Sequence, residues 1–263
     1  MTLPQIFAAL EAMGLPENRA LYARHGIPPP TYGAAFRHLR ALAKQIGTSP
    51  TMAETLWATR NHDARILATL VAGERGATAA RLRAWAGTLD NYVIADLLAR
   101  WAATAKAAPA LSEEWIAARG EWTARAGWML HALLAIDRPE LPDEAFAPSI
   151  GTIEREIHRA KNRVRDAMNM ALIAIGIGRA SLTEQAIAAA RRIGPVIVDF
   201  GESGGSLAPT EETILRGLEQ RLRQESGRAG GKKAASRKRA AVKKSGGEKK
   251  GGAKKKSSRR GRP

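Results

Sequence analysis

Apolar residues recur at three- and four-residue spacing along most of the 263-residue chain, in Ala-rich segments broken by short turns such as GTSP, AGERGAT, APALS and DRPELPDE. That period predicts helices nearly throughout. No stretch alternates as a strand should. The β-branched PVIVDF at 195–200, followed by GESGGS, reads as a loop crossing the end of the helical array. Four long apolar helices stand out: HDARILATLVA from His62, NYVIADLLARWAA from Asn91, WTARAGWMLHALLA from Trp122 and NRVRDAMNMALIAIG from Asn162. Their starts lie about 30 to 40 residues apart, with a turn and a shorter helix in each gap, which is the rhythm of stacked helical pairs. The expected fold is therefore all-α, a solenoid of antiparallel helix pairs over residues 1–225.

Charges sit near the starts of these helices. Three carry arginine there, Arg65, Arg125, and Arg163 with Arg165, and the other carries Asp96. Equivalent positions of a solenoid line the same concave surface, so these residues are expected to converge on one groove. A closed helical bundle predicts no such row. Within DNYVIADLLARW, Asp96 falls one turn after Tyr92 and off the apolar side made by Val93, Ile94, Leu97, Leu98 and Trp101. Taken alone, it reads as a solvated acid paired with Arg100 four residues on. Arg163 and Arg165 have a similar plain reading, as ion-pair partners of Glu154, Glu156 or Asp166.

Charge divides the chain more sharply than hydropathy does. The formal net charge is +17, yet sixteen of the 42 Lys/Arg and one of the 25 Asp/Glu follow residue 225. Residues 1–225 are nearly neutral, and 226–263 are expected to form a disordered Lys/Arg-rich tail, too poor in large apolar residues to fold. Such a tail points to a polyanion, and nucleic acid is the expected partner. The final Arg260-Gly261-Arg262-Pro263 has the RGRP core of an AT-hook, in which arginines enter a narrow minor groove.

Several classes of chemistry drop out. The absence of cysteine removes disulfides, thiolate metal sites and cysteine nucleophiles. His25, His38, His62, His131 and His158 show no metal-ligand spacing, and no nucleotide-binding glycine motif or G-x-S-x-G is present. No metal or cofactor is expected. Without a signal peptide or membrane-length apolar run, the chain reads as cytoplasmic, associated with the nucleoid, and monomeric.

The segments LYARHGIPPPTYGAAFRHLRALAKQIGTSPTMAETLWATRNHDARILATLVA, LDNYVIADLLARWAA, EWTARAGWMLHALLA and NRVRDAMNMALIAIG, in that order, resemble the AlkD-like DNA alkylation repair proteins, HEAT-like helical-repeat DNA glycosylases. The resemblance covers roughly residues 15–200. It implies a HEAT-like solenoid that binds double-stranded, alkylated DNA. It also implies an aromatic and an aspartate one turn apart at the damaged nucleotide, here Tyr92 and Asp96, and an arginine on the next long helix, here Arg125. Asp96 would stabilise the oxocarbenium-like sugar left when an N3- or N7-alkylated purine departs, Arg125 would hold a phosphate, and Tyr92 would pack on the deoxyribose or base edge. Trp122, Arg65, Lys161, Arg163 and Arg165 join them as DNA-binding candidates. The family's pattern has tryptophan where this chain has Tyr92 and, on the following long helix, Met170. The other class of function compatible with these features is a non-catalytic helical-repeat protein recognising bent or damaged duplex. A protein-binding scaffold would leave the basic tail unexplained.

Overall fold

The structure, a computed structural model, describes residues 1–224 and Ser226. Met1–Leu215 form one compact unit and a second begins at Arg216. The tail expected beyond residue 225, including Arg260 and Arg262, lies outside the described residues apart from Ser226.

Twelve α-helices run through the first unit: α1 Leu3–Ala12, α2 Pro16–Arg24, α3 Phe36–Ile46, α4 Pro50–Ala58, α5 His62–Val71, α6 Ala79–Ala86, α7 Tyr92–Ala102, α8 Ala108–Ile116, α9 Glu121–Asp137, α10 Ala147–Glu156, α11 Asn162–Gly178 and α12 Thr183–Ile193. Residues 210–224 are helical as well. Among the described residues there is no strand; one isolated bridge joins Gly14 to Ala34. The four long helices predicted from the hydrophobic period are α5, α7, α9 and α11.

Local sequence explains where the helices start. Asn61 and Asn91 cap α5 and α7 by accepting from the amides of Ala64 and Ile94, each at 3.1 Å. Ser49 and Thr78 do the same for α4 and α6. The helices stack as two layers of a HEAT-like solenoid. In one, α3, α5, α7, α9 and α11 pack each on the next; in the other, α4, α6, α8 and α10 back them, and α12 closes the end against α10 and α11. At Gly127 any side chain would run into the backbone of Trp115 and Ile116, so glycine is what lets α8 and α9 approach so closely.

Successive repeats are joined by specific contacts as well as by apolar area. Trp57 of α4 stacks on Trp85 of α6 at 4.1 Å and nearly parallel, and Trp85 packs on Trp101 of α7 at 4.8 Å. All three rings are buried, and each indole N–H is satisfied, by Thr88 Oγ1, Glu54 Oε2 and the Gly73 carbonyl. Further along, His131 of α9 lies between Trp128 and Phe146, with Arg179 over the opposite ring. Ser112 Oγ is 3.3 Å from His131 Nδ1, and His131 Nε2 is buried with no protein partner.

Burial, assisted by the Arg179 charge, pushes the His131 imidazole down to about 4 from an ordinary value of 6.5. A neutral histidine favoured by the fold gives stability that is complete above pH 6.5 and is lost as pH falls through 6.5 towards 4, worth about 3 kcal/mol over that window. His131→Leu is therefore expected to lose less stability than the wild type between pH 7 and pH 4.5. Urea midpoints at the two pH values measure this; equal losses would mean that His131 does not titrate as a buried group.

Candidate functional site

The charges predicted to line a groove are organised first by one another. Asp63, fully buried in the first turn of α5, accepts from Thr31 Oγ1 and from the amides of Tyr32, Gly33 and Ala34, fastening the loop before α3 to the solenoid. Arg65, 1% exposed, stacks over Trp57 at 4.9 Å and pairs with Asp90 at 2.9 Å. Arg65 is thus part of the interior and cannot reach a phosphate, contrary to its expected place in the groove. A charge in the first turn of a helix can point into the repeat interface as readily as out of it, and here Asp90 draws it inward.

The next level of this ladder spans three helices. Arg125 donates from Nε to Asp96 Oδ1 at 2.8 Å and from Nη2 to Asp96 Oδ2 at 2.9 Å, a two-pronged pairing. Its Nη1 donates to Asp166 Oδ2 at 2.8 Å and to the Arg163 carbonyl at 2.9 Å. Asp96, Arg125 and Asp166 are each the fifth residue of their helices, α7, α9 and α11. One guanidinium therefore binds two carboxylates at the same register of three adjacent helices. Arg125 itself is 4% exposed, with four of its five N–H donors engaged, so the phosphate-holding role expected of it does not fit its surroundings. Asp96 keeps 30% of its side chain exposed, and its close partner is Arg125 of the neighbouring helix in place of Arg100 on its own.

Desolvation by burial raises the Asp96 carboxyl above its ordinary value, against the pull of the Arg125 hydrogen bonds and charge; nearby Asp166 adds to the rise. Arg125, although desolvated, is held more firmly charged by Asp96 and Asp166. The trio carries two negative charges and one positive. Each Asp96 oxygen spends one acceptor position on Arg125 and retains capacity for another donor.

Tyr92 stands one turn before Asp96, half-buried, with Arg125 5.5 Å and Arg163 4.6 Å from its ring centre. Arg163 also lies 5.5 Å from the Phe200 ring. The segment carrying Phe200 leaves α12 and returns past the start of α11: Asn162 donates to the Asp199 carbonyl and accepts from the Asp199 amide, and Arg165 donates to the Ile197 carbonyl. It then packs its 3₁₀ turn, Gly201–Ser203, against α2. Gly201 has φ 71° and sits so close to the Arg24 carbonyl that a side chain would clash. PVIVDF is therefore non-regular, as expected, but it lies beside Arg163 and Tyr92 and runs from α11 to α2.

The remaining candidates separate. Arg165 gives four of its five N–H donors to the carbonyls of Ile157, His158, Ala160 and Ile197, so its guanidinium is spent mainly on holding the turn before α11. Of the acids expected as plain partners of Arg163 and Arg165, Glu154 pairs with Arg192 and Asp166 with Arg125, and Glu156 pairs with neither arginine. Lys161 is exposed and donates to the Arg119 carbonyl at 3.1 Å. Trp122 is half-buried at the start of α9, without a stacking partner among the described residues. Met170, one turn beyond Asp166, is 44% exposed. Asp166 and Phe200 are the site residues that the sequence reading did not select. No group of three or more metal-ligating side chains occurs among the described residues, and no described helix is long and apolar enough to cross a membrane.

The fold is a HEAT-like solenoid, and comparison with known proteins defines the family. The chain belongs to the DNA alkylation repair enzyme family, whose profile matches residues 6–198. It is similar to the uncharacterized protein Lin0241 of Listeria innocua serovar 6a, 23% identical over 209 residues, covering 77% of this chain and 91% of that one. It also resembles a solved structure from a family related to the HEAT-like repeat DNA glycosylases with affinity for branched DNA structures. That likeness has a TM-score of 0.77 and 26% identity, and covers 84% of this chain and 95% of the other.

If Arg125 is the shared counter-charge of three helices, Arg125→Ala strands two carboxylates and is expected to cost about 3 kcal/mol or more in unfolding free energy. Chemical denaturation checks this. A loss within about 0.5 kcal/mol, the scale of an ordinary surface substitution, would return Arg125 to a peripheral role.

Proposed function

We propose that the protein is a DNA glycosylase that releases purines alkylated at N3 or N7 from duplex DNA, with Asp96 as the catalytic carboxylate. The observation that carries this reading is the fixed, partly exposed Asp96 carboxylate in a cluster whose net charge stays negative because Arg125 is shared with Asp166. A purine alkylated at N3 or N7 is cationic and already a good leaving group. When the glycosidic C–N bond breaks, its electron pair passes to the purine and cancels that charge. Positive charge then appears on the sugar, and a carboxylate held in one rotamer beside it stabilises this species without reorganising. Water bonds to C1′, and its surplus proton passes to solvent with the Asp96 carboxylate as first acceptor. Tyr92 packs against the sugar or base edge, and Arg163, the cation of the site not locked in an ion pair, is the group free to move to a phosphate. DNA of the nucleoid is the working substrate, and the Lys/Arg-rich segment after residue 225 adds affinity that does not depend on sequence.

A second reading, binding without chemistry, draws on two observations. Arg163 covers the Tyr92 ring, and the solved relative is described by its affinity for branched DNA. Incubation with duplex containing N7-methylguanine distinguishes the two, since a glycosylase liberates free base and leaves an abasic site.

Asp96→Asn keeps the size of the side chain and removes its charge. It is expected to bind DNA at least as tightly as the wild type while single-turnover base release falls about 10²-fold, the scale seen when one electrostatic stabiliser is lost. Wild-type release rates in this variant would remove Asp96 from the chemistry. Only the ionised carboxylate can stabilise a cation, and burial raises its pKa, so activity is expected to fall with decreasing pH at a midpoint above the ordinary carboxylate value of about 4. A pH profile of single-turnover rates on the same duplex tests the direction; an acid limb at or below the ordinary value contradicts it.

A further inference from the structure

Beside the Asp96 site, the ends of α8 and α10 and the starts of α9 and α11 enclose an open cavity of about 540 Å³. Its floor is apolar, made by Ile116, Ala124, Trp128, Val164 and Met168. Its rim is cationic: Arg119, Arg159 and Lys161 are all exposed there. Among the described residues, neither the Arg119 nor the Arg159 guanidinium has a hydrogen-bond or ion-pair partner, and Lys161 spends one donor on the Arg119 carbonyl. Several arginines elsewhere are, by contrast, neutralised. Arg65, Arg81, Arg83, Arg125, Arg179 and Arg192 are paired with carboxylates. Of the two acids in the lining, Glu121 is turned to the amide of Arg163 at 2.8 Å, leaving Glu156 as the acid without a partner.

Glu121 also fixes where the cavity lies. It lines the cavity and holds the backbone of Arg163, whose side chain covers Tyr92. The cavity and the Asp96 site are therefore neighbours on one edge of the solenoid, separated by the first turn of α11. A volume of this size, apolar below and cationic at the mouth, matches a planar ring system joined to a phosphate. Stacked bases inside a duplex cannot enter it, whereas an unpaired nucleotide can.

We propose that this cavity is a binding site for one unpaired nucleotide of a DNA strand that leaves the duplex next to the Asp96 site, with its base on the floor of Ile116, Val164 and Met168 and its phosphate at Arg119, Arg159 and Lys161. The site would select junctions, where a strand diverges, over continuous duplex. It rests on the protein binding DNA and not on Asp96 carrying out chemistry.

The test compares full-length wild type, Arg119→Ala/Arg159→Ala and Ala117→Trp. Ala117 is exposed on the cavity wall, so tryptophan there fills the space from outside the core. Affinity is measured by fluorescence anisotropy at fixed salt for a continuous duplex and for the same duplex with a single-stranded flap of five nucleotides. Base release from N7-methylguanine duplex is followed in parallel. Wild type is expected to prefer the flapped DNA by about tenfold, the scale of stacking and charge on one captured nucleotide. Both variants are expected to lose that preference while binding continuous duplex within about twofold of wild type and releasing base at the wild-type rate. Equal wild-type affinity for the two DNAs overturns the proposal, as does a flap preference that survives in either variant. A parallel loss of affinity for both DNAs in the arginine variant, with Ala117→Trp unaffected, also overturns it, because the rim would then be a general phosphate contact. Absence of base release in every protein, with flap preference behaving as expected, would defeat the glycosylase reading and leave the cavity assignment standing.

Discussion

A single guanidinium between two carboxylates is the constraint on which the centre of this solenoid depends. Removing three charges from water costs several kcal/mol per ion, and the cost is offset only when the geometry satisfies every donor. Arg125 comes close to that condition, engaging four of its five N–H donors with Asp96, Asp166 and the Arg163 carbonyl. Because the partners sit at the same register of α7, α9 and α11, sliding any one helix along its axis would break the set. Hydrophobic contact alone tolerates such a slide far better, being non-directional. The ion-pair ladder thus fixes register, and the Trp57–Trp85–Trp101 stack adds to this by joining α4 and α6 of one layer to α7 of the other.

The same constraint ties structure to function. A carboxylate gripped by two prongs of a buried guanidinium has little rotamer freedom, which is the preorganisation that electrostatic stabilisation of a developing cation requires. Had Arg125 faced Asp96 alone, the pair would be neutral and of little use to a cationic sugar. Asp166 restores the negative balance from a position 8% exposed. Arg163 completes the site from the other side. It lies between Tyr92 and Phe200 and is held there by cation–π contacts worth about 0.5–1 kcal/mol each, weak enough to exchange for a phosphate.

The layout was legible where it is written in local pattern. The 3.6-residue period marked α5, α7, α9 and α11. The order of the segments pointed to the HEAT-like family that the profile match and fold comparison support. Asp96, Tyr92 and Arg125 were visible as candidates, but the role of Arg125 was not, because a one-dimensional pattern does not say whether a first-turn arginine faces solvent or a neighbour's carboxylate. Arg65 was placed in the groove for the same reason and is buried against Asp90. Asp166 was passed over in favour of Arg163 and Arg165, although aligning the starts of α7, α9 and α11 shows Asp, Arg and Asp at one register, a signal of alternating charge across repeats. Phe200 had no such signal. It reaches Arg163 through a segment whose path is set by Asn162, Arg165 and α2, all distant in sequence.

In the proposed reaction, the residual negative charge of the Asp96–Arg125–Asp166 cluster drives base release. Asp166→Asn probes that charge, because Asp166 is buried and the amide oxygen of the variant can still accept from Arg125. Single-turnover release of N7-methylguanine is predicted to fall about tenfold or more as the cluster becomes neutral, the loss expected from one weakened electrostatic contribution of about 1.4 kcal/mol, while DNA affinity is unchanged or tighter. A wild-type release rate in folded Asp166→Asn would contradict the account and leave the second carboxylate a purely structural partner of Arg125.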